Sequence, residues 1–280
     1  MIQFKRVTGA AGADVFGIDL TRPLDADQVK TIKQGLLEHL VLFFREQEIM
    51  SFDQHMALAK KFGEPEPTPF RRTDVNAPDD LLILDQTKGA DRDVSVFHAD
   101  NTFRIDPPMG AILQAHQVPE YGGDTCFSSM YAAFDALSPR MKAYLDGLEA
   151  SHSYAQMVER LARNGGLRPS ANSNDHPPVK HPVVARHPET GRKLLYVNAS
   201  WTTHIDGVPA DEGGVILRYL FEHIKRPEFQ VRMRWNKGDV TFWDNRSVQH
   251  YAVPDYNVRR LIHRISFFAR AESERFAVAV

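Results

Sequence analysis

The sequence predicts a mainly β fold with flanking helices, built around a double-stranded β-helix, or jelly-roll, core. Three observations predict it. Short β-prone runs recur from Leu81 to Ile265, bounded by glycine, proline, asparagine or aspartate. The helical stretches are few and interrupt those runs without replacing them. No low-complexity tract, internal repeat or linker divides the 280 residues, so a single domain spanning 1-280 is expected.

Along the chain, Ile2 to Val7 and Val15 to Leu20 read as short strands. Asp25 to Leu40 reads as an amphipathic helix with Val29, Ile32, Leu36 and Leu40 on one stripe, opened by capping-box spacing between Asp25 and Gln28. Val41-Leu42-Phe43-Phe44 is a buried strand, and Ser51-Phe52-Asp53-Gln54 opens a second helix that stops near Gly63. Glu64 to Pro69 is punctuated by proline and cannot be a regular interior element. Leu81 to Asp85, Val94 to Phe103 and Ala111 to Val118 are expected strands, with Thr87 to Arg92 a polar connection. The turn Glu120-Tyr121-Gly122-Gly123-Asp124 leaves Thr125 to Ser128 extended. Met130 to Leu148 is helical with a break at Ser138-Pro139. The polar segment 154-180 reads as a loop with helix only in its first third, and as a lid insertion over a site. Pro182 to Ala185 and Lys193 to Val197 flank His187-Pro188-Glu189-Thr190-Gly191 as a hairpin, and Asp211 to Ile224 is a helix. Phe229 to Trp235 and Val240 to Trp243 read as a second hairpin around Asn236-Lys237-Gly238-Asp239.

Composition narrows the function classes. A net charge of -2 argues against a general nucleic-acid or membrane-surface binder. No apolar run is long enough to span a bilayer, and Met1 is not followed by the basic-then-apolar layout of a signal peptide. The single cysteine, Cys126, excludes internal disulfides, suits a reducing cytoplasmic compartment, and reads as a small buried hydrophobe.

The chemistry is concentrated in two distant stretches. In Val94 to Phe103, His98 and Asp100 stand two apart, so on a strand both project to one face. In Thr241 to Ala252, His250 lies between apolar, β-prone runs. Joined, the three make a two-histidine, one-carboxylate set, which suits Fe(II) and leaves positions open for a bidentate co-substrate and dioxygen. Downstream, Arg260, Ile262 and Arg264 share one strand face, and two inward guanidinium groups ask for an anion. Arg259 points the other way and reads as solvated. The His-x-acid pattern is weak alone: it recurs at His204-Ile205-Asp206, spoiled by the following Gly207 turn, and at His187-Pro188-Glu189, where a hairpin turn is expected to aim the side chains at solvent. The ordinary alternatives are an edge-strand polar pair at His98 and Asp100, and a hydrogen-bonded core histidine at His250. His55, His152 and His223 read as surface or core polar groups.

These residues, with Gly17-Ile18-Asp19-Leu20, Val41 to Arg45, Gly122-Gly123-Asp124-Thr125 and Trp243-Asp244-Asn245-Arg246, resemble the taurine dioxygenase family of Fe(II)- and 2-oxoglutarate-dependent oxygenases, which includes alkylsulfate and phenoxyalkanoate dioxygenases. The resemblance implies His98, Asp100 and His250 as iron ligands and catalytic centre. It implies Thr125 and Arg260 as partners of the distal 2-oxoglutarate carboxylate, and Arg264 as a contact to co-substrate, anionic substrate, or both. It places Trp201 as an aromatic wall of the substrate pocket, with Thr68 and Asn101 at substrate-facing positions. It further implies hydroxylation of a small organic substrate with release of succinate and CO2, and assembly as a homo-oligomer, a dimer or tetramer. The chain departs from the taurine enzymes at Phe62-Gly63-Glu64-Pro65-Glu66-Pro67-Thr68-Pro69, which lacks their substrate-holding histidines, and at Val94, which is not polar. Unpartnered polar groups cost about 1–3 kcal/mol each, so taurine is expected to be a poor substrate and a more apolar molecule a better one. Two readings from other classes remain open: a non-catalytic jelly-roll binding protein for a small acid, and a zinc hydrolase on the same scaffold.

Overall fold

The structure is a computed structural model that describes residues 1–69, 78–87, 96–164, 173–271 and 275. It is mostly β, with helices packed outside. Strands β1 (Gln3–Arg6) and β2 (Ala13–Phe16) pair antiparallel, and helix α1 (Ala26–His39) carries the chain to β3 (Val41–Phe44), parallel to β2. The expected strand from Val15 to Leu20 instead starts at Ala13 and ends at Phe16, because Gly17 adopts φ +78° and a side chain there would collide with the Met1 carbonyl. Both predicted capping boxes are present, Asp25 with Gln28 on α1 and Ser51 with Gln54 on α2 (Phe52–Phe62).

After α2 come the two-residue β4 (Glu64–Pro65), then β5 (Leu82–Gln86), β6 (Gly110–Gln117) and β7 (Thr125–Ser129). The expected helix from Met130 to Leu148 is divided into α3 (Met130–Asp135) and α4 (Pro139–Leu145), with Ser138 capping the second and Pro139 in its first turn. Then follow β8 (Glu149–His152), α5 (Tyr154–Asn164), β9 (Val179–Pro182), the hairpin of β10 (Val184–Arg186) and β11 (Lys193–Leu195), β12 (Thr202–Ile205) and α6 (Ala210–His223). The chain closes with β13 (Gln230–Met233), β14 (Val240–Asp244), β15 (Val248–Ala252) and β16 (Arg260–Phe268). No helix among the described residues is long and apolar enough to cross a membrane.

Two sheets make the centre. The larger runs β1-β2-β3-β14-β6-β16-β4, with β5 also on β16, and the smaller runs β13-β7-β15. Alternation distributes side chains between two cores. Val41 and Phe43 of β3 join Phe127, Val231 and Val248 of the smaller sheet in one cluster. Leu42 and Phe44 face the opposite way, onto Ile32 and Leu36 of α1 and Leu58 and Phe62 of α2. β3 is therefore buried on both faces, which explains a four-residue apolar run without polar alternation.

Two expectations fail here. Strands β13 and β14 do not form a hairpin: β13 pairs with β7 in the smaller sheet, and β14 pairs with β3 and β6 in the larger. The connection crosses between sheets around Asp239, whose fully buried carboxylate accepts from the Asn236 and Glu46 amides and from Arg45. Nor do His187 and Glu189 point to solvent. His187 is buried with Nε2 2.9 Å from Asp244 Oδ2, and Glu189 pairs with Arg246 at 2.8 Å. The β10–β11 turn is thereby fastened to the turn after β14.

Candidate metal centre and active site

The stretch from Val94 to Phe103 is not the continuous strand expected; of it, residues 94–95 lie outside the described ones. His98 makes an isolated bridge to β15, with His98 N–H on His250 O at 3.0 Å and His250 N–H on His98 O at 2.8 Å. The chain then turns, and Asn101 takes φ +51°. What satisfies the backbone is a side chain. Asn245 accepts the Asp100 amide at 2.7 Å and donates to the carbonyls of Asp100 and Pro108, each at 3.0 Å. The Trp201 indole donates to Ala99 O at 3.0 Å. This clamp, more than strand alternation, brings His98 and Asp100 together.

The predicted set does converge. Ligand atoms of His98, Asp100 and His250 all lie within 4.8 Å of one another, the only such group of histidine, cysteine or acidic residues among the described residues. His98 Nε2 stands 3.8 Å from Asp100 Oδ1, and His250 Nε2 3.9 Å from Asp100 Oδ2. Metal–nitrogen bonds of about 2.0–2.1 Å allow one ion to bridge such spacings. Three further observations fit a cation. Asp100 Oδ2 is buried without a hydrogen-bond partner. His98 Nδ1 is 2.9 Å from Val96 O, so it carries the proton and Nε2 keeps its lone pair. Burial pushes the His250 imidazole down to about 3, so it stays neutral. For Asp100, burial opposes ionisation, but the Arg264 guanidinium outweighs it and holds the carboxyl below its usual range.

A cavity of about 90 Å³ opens beside this group. Thr125, Arg260 and Arg264 line it, as do Asn101 and Trp201, so most of the predicted co-substrate and substrate residues meet there. Arg260 is 2% exposed; its Nε donates to Gly123 O at 3.0 Å, and it pairs with no carboxylate among the described residues. Burial lowers its pKa, the cost that an anion would relieve. The Gly122-Gly123 turn makes this approach: Gly123 has φ +69°, and a Cβ there would lie 3.2 Å from Arg260 Cδ. Arg264 is already engaged, donating from Nη1 to Asp100 Oδ1 at 2.9 Å, so it orients the Asp100 carboxylate. Thr68 does not line the cavity; its amide donates to Asp79 O at 3.1 Å.

The sequence did not signal the rest of the lining. Leu82 and Leu84 of β5, Leu113 of β6 and Met157 of α5 supply an apolar wall, and nothing distinguishes them from core residues by type. Behind Asn101, buried Glu66 accepts from its Nδ2 at 2.9 Å and pairs with Arg104 Nε at 2.8 Å. Burial pushes the Glu66 carboxyl up to about 7 against the pull of Arg104. Of segment 154-180, residues 165–172 lie outside the described residues.

A β core with a two-histidine, one-carboxylate group opening on a cationic cavity defines a mononuclear metal enzyme of the non-haem type. Residues 3–266 match the family described as taurine catabolism dioxygenase TauD, TfdA, and the chain belongs to that family. It is 35% identical over 275 residues to the alkylsulfatase of Acinetobacter baylyi, covering 95% of this chain and 84% of that protein. It is 36% identical over 271 residues to the alpha-ketoglutarate-dependent 2,4-dichlorophenoxyacetate dioxygenase of Cupriavidus pinatubonensis, covering 90% and 92%. Among solved structures, AAD-2 in complex with Mn(II) and N-oxalylglycine superposes with a TM-score of 0.82 at 28% identity, covering 97% of this chain and 98% of that one.

Proposed function

We propose that this chain is an Fe(II)- and 2-oxoglutarate-dependent dioxygenase that hydroxylates a small organic substrate and releases succinate and CO2. The observation that carries the reading is the meeting of the His98, Asp100 and His250 group with an uncompensated arginine, Arg260, in one cavity. His98 Nε2, His250 Nε2 and Asp100 Oδ2 would hold the iron. When bound, the ion supplies the redox chemistry that couples decarboxylation of 2-oxoglutarate to oxidation of the substrate. Arg260 and Thr125 anchor the distal carboxylate and so orient the co-substrate. Arg264 keeps Asp100 ionised and fixed, and Asn245 and Trp201 hold the backbone on either side of it. Leu82, Leu84, Leu113, Met157 and Trp201 exclude water and receive an apolar body.

The relatives named alkylsulfatase and 2,4-dichlorophenoxyacetate dioxygenase support a substrate with an apolar body and one acidic group. Taurine lacks that body, and we expect it to be a poor substrate. We read residues 1-280 as one oxygenase domain on a jelly-roll core, with 154-180 as a lid over the substrate. We further read it as a cytoplasmic dimer or tetramer. The bound Mn(II) and N-oxalylglycine in AAD-2 favour an oxygenase over a zinc hydrolase or a non-catalytic binder. The test is succinate formation with Fe(II), ascorbate, 2-oxoglutarate and dioxygen across sulfonates, sulfate esters and phenoxyalkanoates, with His98→Ala as blank. Substrate-stimulated, His98-dependent succinate is expected. Its absence with every compound, together with no binding of 2-oxoglutarate by calorimetry, would sink the reading.

A further inference from the structure

A threonine hydroxyl can donate or accept, and its neighbours decide which. Thr125 lines the cavity at the start of β7, where it pairs with Met233 of β13 and Ala252 of β15. Behind it lies Trp235, 3% exposed, just past the end of β13 where the chain crosses to the larger sheet. Its indole Nε1 is 3.0 Å from Thr125 Oγ1. An indole N–H has no acceptor capacity, so in this contact Thr125 must be the acceptor. The hydroxyl proton is then directed elsewhere, and no acceptor takes it among the described residues. The open direction is the cavity that Thr125 shares with Arg260.

We propose that Trp235 is a positioning residue for the 2-oxoglutarate site: its indole N–H fixes the Thr125 hydroxyl as a donor, and so makes the site selective for a carboxylate. This rests on the functional reading above. Trp235 does not line the cavity and acts only through Thr125. A donor held in place before the ligand arrives loses no rotamer freedom on binding, and the donated bond polarises the hydroxyl and strengthens its own donation.

The test is a double-mutant cycle read by calorimetry of N-oxalylglycine binding to the Mn(II)-loaded protein, without dioxygen. Trp235→Phe keeps the ring and removes the N–H; Thr125→Val removes the hydroxyl. One neutral hydrogen bond corresponds to a change in Kd of roughly fivefold. Trp235→Phe is expected to raise Kd by about that factor in the wild-type background and in Thr125→Ser, and to change nothing in Thr125→Val. An unchanged Kd in Trp235→Phe overturns the proposal, as does the same penalty with and without the hydroxyl, which would mean packing alone. Should Trp235→Phe fail to fold, tryptophan side-chain NMR of the zinc-loaded wild type decides. The Trp235 Nε1–H signal shifts on adding N-oxalylglycine if the chain of donors is real, and its invariance overturns it. Wild-type protein that binds no N-oxalylglycine removes the functional reading itself, and this proposal with it.

Discussion

Arg246→Met is the substitution whose cost can be worked most directly from the structure. The Arg246 side chain is 3% exposed and binds Asp244 through Nε at 2.8 Å and Nη2 at 2.7 Å, and Glu189 through Nη1 at 2.8 Å. Burial alone would raise the Asp244 carboxyl, but Arg246 and His187 outweigh it and hold Asp244 ionised far below the usual carboxylate range. Methionine fills much of the same volume but leaves a buried carboxylate with His187 as its only side-chain partner among the described residues. Breaking a buried pair in this way costs about 3–5 kcal/mol. Unfolding entropy of about 2.1 cal/mol/K per residue gives roughly 0.6 kcal/mol/K for a chain of 280 residues, and so a fall in Tm of roughly 5–8 °C. Arg259→Met is the internal control. Arg259 also grips an aspartate, Asp85, at 2.7 and 2.8 Å, but the two side chains are 48% and 36% exposed. Such a pair contributes about 0–1 kcal/mol, a shift of no more than about 2 °C. Scanning calorimetry of metal-free protein at pH 7 compares the two. If both variants melt within a degree of each other, the argument from burial is wrong.

Two further predictions concern acid and the glycine turn. His55 is 1% exposed, and burial pushes its imidazole down to about 3, further lowered by His263 and His116. The unfolded chain takes up a proton near pH 6.5 that the folded chain refuses. Stability is therefore full above about 6.5 and falls as pH drops toward 3, by about 2.5 kcal/mol from His55 between pH 7 and 4.5. Urea denaturation at both pH values should show a loss smaller by that amount in His55→Met, and equal losses would refute the assignment. Gly123→Ala adds a Cβ at φ +69° and 3.2 Å from Arg260 Cδ. It should cost about 1–2 kcal/mol of stability and displace the guanidinium, weakening N-oxalylglycine binding while leaving metal uptake intact. Coincident loss of metal uptake would contradict the separation of Arg260 from the ligand group.

The sequence made the parts of this fold legible where local rules govern. Both capping boxes, the α3–α4 break at Ser138-Pro139 and the buried β3 follow from neighbours a few residues apart. It failed where a distant group overrides local pattern. Asn236 to Asp239 has hairpin chemistry, yet Asp239 accepts from Glu46 and Arg45 and sends β13 and β14 to different sheets. His187 looks like a turn residue until Asp244 is brought to it from 57 residues away. The candidate metal ligands were legible for a partly mistaken reason. His98 and Asp100 face one point, but Asn245 and the Asn101 turn put them there, not the strand alternation that the sequence predicts. The apolar cavity wall was illegible, since leucine and methionine carry no mark that separates a binding surface from a core.

The cavity draws its chemistry and its shape from separate places. His250 sits on β15, the arginines on β16 and His98 and Asp100 on the clamped loop, with β15 paired to β7 and bridged to His98. Leu82 and Leu84 belong to β5, which lies off the main path of the larger sheet and pairs with β16, setting Leu82 opposite Arg264, and Met157 belongs to α5. Side-chain substitutions at Leu84 and Met157 can therefore reshape the apolar wall without removing His98, Asp100, His250 or either arginine. Selection acting on such a molecule can change its diet one wall residue at a time while the oxidising machinery is inherited intact.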